Sequence, residues 1–386
     1  MGLFARSSHT PEDLAHGQIV IVTFRWIMVA AGFVFALWNP EPVAELRVQI
    51  LVILALAVAN FYLHAQVLRR RPALELVIYA ASGADLAVIT ILVASGGGFD
   101  SALYIFYYPA VLVFSVAFPT AITLTYTAAA TAVYATVSSP AVTESTLPIL
   151  AVRIVALAGV AVCGNIYWRI ESDRRQAAAE ERLGGVPEAR TAAHEAAEDL
   201  FFGQVVIIAA RWSLILGGAI VVLWMTTETA ELVTQILPVV ALMGVNFFLH
   251  GRYLLERPAN RALSVAAALV DLVVVTAAVL VWPGSLGLGS PFFVLTYPVL
   301  VAFAFVFPPR LSVAYTALAL VGYVGACLGT DMTFLGEPKQ VERLVQRLTT
   351  LAASGGLAAY YWRIQRARRR ALLAGSVARA DLRVAR

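Results

Sequence analysis

Two successive sets of six apolar stretches run through this chain, and they constrain the fold more than any single motif. The first set falls near 19–38, 48–66, 73–94, 102–118, 120–137 and 148–168, and the second near 205–224, 232–252, 262–282, 291–307, 311–328 and 343–362. A helix that crosses a ~30 Å hydrocarbon core needs about 20 such residues. The expected class is therefore an all-α integral membrane protein with 12 transmembrane helices. Composition points the same way: 13% of residues are charged, 60% are hydrophobic, and mean hydropathy is +0.79. A soluble domain carries roughly 25% charged residues. The fourth and fifth stretches of each set are separated only by Pro119, or by Pro308-Pro309-Arg310, so a tight helical hairpin is predicted at both places.

The second set is a copy of the first. Gly17-Gln18 with Arg25-Trp26 recurs 186 residues later as Gly203-Gln204 with Arg211-Trp212, and Asp85-Leu86 recurs as Asp271-Leu272. The hairpin pairs Tyr108-Pro109 and Phe118-Pro119 recur 189 residues later as Tyr297-Pro298 and Phe307-Pro308. Arg153, and the run from Tyr167 to Ile170, recur 194 residues later as Arg347 and the run from Tyr361 to Ile364. Small loop insertions account for the growing offset. Six is an even number of crossings, so two parallel six-helix repeats are expected rather than the inverted pair of many transporters. The divisions are 1–168 and 203–362 for the membrane modules, 169–202 for a charged helical linker broken near Gly184-Gly185-Val186-Pro187, and 363–386 for a basic tail.

Arginines orient the modules. Arg69, Arg70 and Arg71 follow the second stretch, Arg252, Arg257 and Arg261 follow its copy, and the linker and tail are rich in arginine. The opposite loops carry Glu41, Glu45, Asp100, Glu144, Asp331 and Glu337. The positive-inside rule places both termini and the linker in the cytoplasm. A net charge of +4 and a pI near 9.1 then reflect topology, so no nucleic-acid partner is expected. The tail arginines are expected to meet anionic lipid headgroups. No cleavable signal peptide is expected before the first stretch. Cys163 and Cys327 lie in apolar stretches at non-matching positions and read as small core residues, neither disulfide nor metal site.

Asp85 and Asp271 are the most unusual positions. Each falls about midway along its stretch, where an unpaired carboxylate costs several kcal/mol and marks function by default. Arg25 and Arg211 lie about 10 Å in from the arginine-rich face at ~1.5 Å per residue. Arg153 and Arg347 lie at a similar depth from the other face, and an extended guanidinium from either side reaches the aspartate's level. One reading is a buried charge network that senses or binds something. The other is a structural ion pair with snorkelling arginines. His64 and His250 follow Asn60 and Asn246 at helix ends, where a cation favours the helix C-terminus and the asparagine bonds a neighbouring helix. The glycine-rich turns at 96–101 and 284–291 precede Tyr104, Tyr107, Tyr108, Phe292, Phe293 and Tyr297. These rings form either an aromatic belt in the outer leaflet or a surface for a flat headgroup such as a quinone. Nucleophile–base pairs, zinc signatures and phosphate-binding loops are absent from the sequence, so no enzyme, metal or nucleotide is expected.

The turn, aromatic run and proline hairpin resemble the six-span input region of bacterial membrane histidine kinases of the redox-responsive RegB/PrrB type. Those carry a Gly-Gly-x-x-Asn-Pro-Phe stretch before the fourth span. Gly287-Leu288-Gly289-Ser290-Pro291-Phe292 matches it in part, with Ser290 in place of asparagine, while the first copy has Ser101-Ala102-Leu103 and lacks Pro-Phe. The resemblance implies a bacterial cytoplasmic membrane, quinone as the cofactor candidate, and Pro291, Phe292, Tyr297 and Tyr108 as candidate ligand contacts. No dimerisation or ATP-binding domain follows either module, so a non-catalytic sensor acting through a partner is expected. A scaffold or accessory subunit of a larger electron-transfer or photosynthetic-type complex is the alternative, and a transporter ranks last. Expected partners are membrane lipids, and other membrane proteins or a second copy of the chain.

Overall fold

A computed structural model of the chain describes residues 11–38, 43–69, 75–184, 192–255, 257, 259–282 and 286–384. Among these the structure is all-helical, with no strand. The α-helices are α1 Pro11–Trp38, α2 Val43–Leu68, α3 Glu75–Ser95, α4 Tyr107–Ala117, α5 Thr120–Ser138 and α6 Leu147–Gly184. They continue with α7 Ala192–Met225, α8 Thr229–Leu254, α9 Arg261–Val281, α10 Thr296–Val306, α11 Pro309–Thr330 and α12 Pro338–Val384. Eight of them, α1, α2, α3, α6, α7, α8, α9 and α11, are long and apolar enough to cross a membrane. The chain is a multi-pass membrane protein.

Of the other four helices, α5 covers its expected stretch of 120–137, while α4, α10 and α12 differ from the uniform spans expected. α4 and α10 have 11 residues each, a rise of about 16 Å at ~1.5 Å per residue. That is roughly half of a ~30 Å core. A 3-10 segment precedes each one, Ala102–Phe106 or Pro291–Leu295, so the single full-length helix expected here is a 3-10/α composite. Pro109 and Pro298 explain where the α-helix begins. A proline has no amide hydrogen and fits the first turn, where amides lack intrahelical acceptors anyway. Every residue of α4 and α10 is buried, as a helix apolar all round should be. α12 is less apolar, and its polar residues Gln346, Arg347, Thr350 and Ser354 are buried inside the bundle.

The predicted hairpins are present. Phe118 and Pro119 adopt extended backbone between α4 and α5, and Phe307 and Pro308 do so between α10 and α11. Thr123 and Ser312 close these turns by donating to the carbonyls of Phe118 and Phe307, each at 3.1 Å. The two halves pack directly on each other, α6 along α7 and α12 along α1, with α4 and α10 between them. α6 ends at Gly184 and α7 begins at Ala192, so the break expected at Gly185-Val186-Pro187 lies outside the described residues.

Close approach depends on glycine at the start of each half. A Cβ on Gly17 would lie 3.1 Å from Ala117 Cβ, and one on Gly203 would lie 2.7 Å from Val306 Cγ1. Gly203→Val is therefore expected to destabilise the protein by about 1–3 kcal/mol, the usual range for overpacking a core. Thermal unfolding in mild detergent measures this. Gly251→Ala, with open space around it, should leave the midpoint unchanged or slightly raised.

Candidate functional site

Gln18 and Arg25 are seven residues apart on α1, so two helical turns bring them to one face. Gln204 and Arg211 repeat this on α7. Gln18 Nε2 donates to the Leu63 carbonyl on α2 at 3.0 Å, and Gln204 Nε2 to Leu249 on α8 at 2.8 Å. Arg25 Nε donates to Asp85 Oδ2 on α3 at 2.9 Å, and Arg211 Nε lies 2.8 Å from both Asp271 oxygens on α9. Each guanidinium also donates through Nη2 to a carbonyl one turn earlier, Ala81 or Ala267. Tyr126 on α5 and Tyr315 on α11 add bonds to the next carbonyls, Ser82 at 3.1 Å and Ala268 at 2.7 Å. Arg25 and Arg211 are 1% and 0% exposed, and Asp85 and Asp271 are 3% and 2% exposed. A charge buried this deeply is tolerable only when it is paired and hydrogen-bonded.

Of the two arginines offered to each aspartate, only these pair with it. Arg153 and Arg347 sit in aromatic cages near the other end. The Arg153 guanidinium lies 3.9 Å over the Tyr104 ring and 4.3 Å over Phe99, and its Nη1 donates to Tyr134 Oη and the Phe99 carbonyl at 2.8 Å. Arg347 lies 3.8 Å over Phe293 and donates to Tyr323 Oη at 2.6 Å. Between the cages Tyr108 and Tyr297 stack at 4.2 Å with 9° between their planes. Tyr108 Oη donates to the Arg153 carbonyl at 3.1 Å, and Tyr297 Oη bonds Thr350 at 2.6 Å. The stack joins α4 to α10, and so one sequence half to the other.

The structure thus brings Tyr108, Tyr297, Arg153 and Arg347 together and keeps them apart from both Arg–Asp pairs. The aromatic belt is corrected as well: Tyr104, Tyr107, Tyr108, Phe292, Phe293 and Tyr297 are all buried, because rings that stack in the bundle interior cannot also line the lipid. Pro291 is buried at the start of its 3-10 segment. Phe292 meets Trp282 edge-on at 4.9 Å and lines an apolar cavity of about 370 Å³ between α7, α8 and α9. The serine before each 3-10 segment caps it. Ser290 Oγ accepts from the Phe292 amide and Ser101 Oγ from the Leu103 amide, so the first copy keeps this local geometry without Pro-Phe.

Sequence reasoning missed the cluster where α6, α7 and α12 leave the apolar core. Asp199 accepts from Arg174 at 2.8 Å and from Arg369 at 3.0 Å, and lies 3.4 Å from Arg366. Glu171, almost wholly buried, pairs with Arg369 at 3.2 Å and with Arg174 at 3.6 Å. Arg366 and Arg369 therefore bind carboxylates of this chain where lipid headgroups were expected. The available signal was the acidic content of the linker 169–202, which carries eight Asp and Glu against five Arg, followed by a basic tail. His64 Nδ1 accepts from the Trp26 indole at 3.0 Å. Asn60 bonds the neighbouring α1 through the Val22 carbonyl at 3.2 Å. Cys163 and Cys327 are buried, free thiols.

No protein-family model, no curated protein and no solved structure matches the chain. The site is consequently read on its own geometry. Asp271→Asn strands the Arg211 charge and is expected to destabilise the protein by about 3–5 kcal/mol. The Arg211→Met/Asp271→Leu double variant should recover most of that loss. A double-mutant cycle of thermal stability in detergent checks both values. A double variant no better than the single one would contradict a purely structural pair.

Proposed function

We propose that the chain is a non-catalytic, sensor-like protein of a bacterial cytoplasmic membrane, with 12 spans in two parallel six-helix repeats and both termini cytoplasmic. It binds a quinone or lipid within the membrane and acts through a partner protein. The observation that carries this reading is the construction of α6 and α12. Each is one continuous helix, with an arginine held in an aromatic cage near one end (Arg153, Arg347) and members of the shared ion cluster near the other (Glu171, Arg369). At ~1.5 Å per residue they extend about 57 and 70 Å, well beyond a ~30 Å core. A shift of either helix at the caged end is mechanically tied to the linker and tail, the segments a partner would touch.

The quinone half of the reading rests on the apolar cavity beside Phe292. It is lined by Trp282, Leu214 and Leu295, with Thr234 and Gln235 as its polar residues. An apolar pocket with a few convergent polar groups suits a flat ring bearing carbonyls. The resemblance of Gly287–Phe292 to the kinase input region favours the same ligand class.

Mild-detergent purification from the native membrane, with mass spectrometry of bound lipids, quinones and proteins, tests the reading. Bound quinone that falls several-fold in Phe292→Ala is the expected result. A stoichiometric set of partner subunits without quinone would replace the sensor by a scaffold of a larger complex. Orientation has its own test. A Cys substituted at Ser145 should react with a membrane-impermeant maleimide in intact cells, and one at Ala177 only after permeabilisation. The reverse pattern would overturn the cytoplasmic assignment of the termini.

A further inference from the structure

The apolar cavity has a counterpart in the first half, and the two are chemically unlike. Leu214, Gly218, Val222, Gln235 and Val239 line the second-half cavity, and the residues 186 positions earlier, Met28, Gly32, Ala36, Gln49 and Ile53, line a first-half cavity of about 590 Å³. The floor of the first-half cavity is equally apolar, with Phe35, Leu92 and Phe106. Its mouth is not. The start of α12 contributes Lys339, Glu342, Arg343 and Gln346, and the turn before α4 contributes Asp100. At the positions 194 earlier, in the turn before α6 and its first residues, stand Ser145, Pro148, Ile149 and Val152, so the duplication has diverged here. Gln346 is 4% exposed; its Nε2 donates to Glu342 at 2.9 Å, while its Oε1 is buried without a hydrogen-bond partner. An unpaired buried carbonyl costs about 1–3 kcal/mol, and this one lines the cavity with its acceptor unused by the chain.

From this geometry we infer that the first-half cavity holds one zwitterionic phospholipid with a primary-amine headgroup. The apolar floor takes the start of an acyl chain. The exposed cations Lys339 and Arg343 face the phosphate, and the carboxylates of Glu342 and Asp100 face the ammonium. The ammonium N–H groups supply the donor that Gln346 Oε1 needs. A trimethylated amine has no such donor, and a purely anionic headgroup leaves both carboxylates opposed by like charge. The second-half cavity has no charged lining residue and is not a phospholipid headgroup site.

The experiment uses the full-length protein, delipidated in detergent and titrated with phosphatidylethanolamine, phosphatidylcholine or phosphatidylglycerol of matched acyl chains, with native mass spectrometry counting bound lipids. One phosphatidylethanolamine should bind about tenfold more tightly than phosphatidylcholine, a difference of about 1.4 kcal/mol. Gln346→Leu should reduce its affinity to the phosphatidylcholine level. If that variant does not fold, Arg343→Gln, at an exposed position, is the second variant and should weaken phosphatidylethanolamine several-fold. Equal binding of all three lipids, tighter phosphatidylglycerol, or unchanged affinity in the variant that folds would overturn the inference. This site does not depend on the quinone reading: bound quinone and its response to Phe292→Ala can fail while the lipid titration succeeds, and the reverse.

Discussion

The fold depends on a guanidinium and a carboxylate that have left water together. At membrane depth an isolated arginine or aspartate is costly. Arg25 with Asp85, and Arg211 with Asp271, are stable there only because each guanidinium also donates to a carbonyl of the helix that carries its aspartate. That extra bond fixes both the rotation and the height of α3 against α1, and of α9 against α7. The glutamine two turns earlier fixes α2 and α8 in the same way. One polar face on α1, and its copy on α7, thus sets the register of three helices in each half.

Hydrophobic burial gives little orientation of this kind in a membrane, where lipid is as apolar as leucine and packing, small residues and interhelical hydrogen bonds drive association. The bundle uses all three. Gly17 and Gly203 let α1 and α7 approach the buried α4 and α10. Stacked rings then join the halves, Tyr108 on Tyr297 and Tyr167 on Phe305. Because α4 and α10 are only 11 residues long, the space beyond each is filled by a 3-10 segment and a glycine turn. Gly98 there has a φ of 65°, and a Cβ on it would lie 2.5 Å from the Val137 carbonyl oxygen. The aromatic cages around Arg153 and Arg347 sit in this region, where backbone is less regular and charge is satisfied by rings and hydroxyls rather than by carboxylates.

The two halves differ where the start of α12 lines a cavity of the first half. The start of α12 carries Lys339, Glu342, Arg343 and Gln346 where the positions 194 earlier hold Ser145, Pro148, Ile149 and Val152, and α12 lies against α1. One cavity has a charged mouth, and the other has no charged residue in its lining.

The eight long apolar helices, the hairpins at Phe118-Pro119 and Phe307-Pro308, and the placing of Asp85 and Asp271 inside apolar helices were legible in the sequence, since each rests on a local property: apolar length, a missing amide donor, a charge in an apolar run. The composite at α4 and α10 was not, because apolar length alone does not distinguish 3-10 from α or a buried helix from a lipid-facing one. Which arginine meets each aspartate, whether Tyr108 and Tyr297 face lipid or each other, and that Arg366 and Arg369 bind Asp199 and Glu171 are long-range matters. They depend on the rotation of whole helices about their axes, and an apolar segment surrounded by apolar neighbours encodes that rotation only through contacts that exist once the bundle has formed.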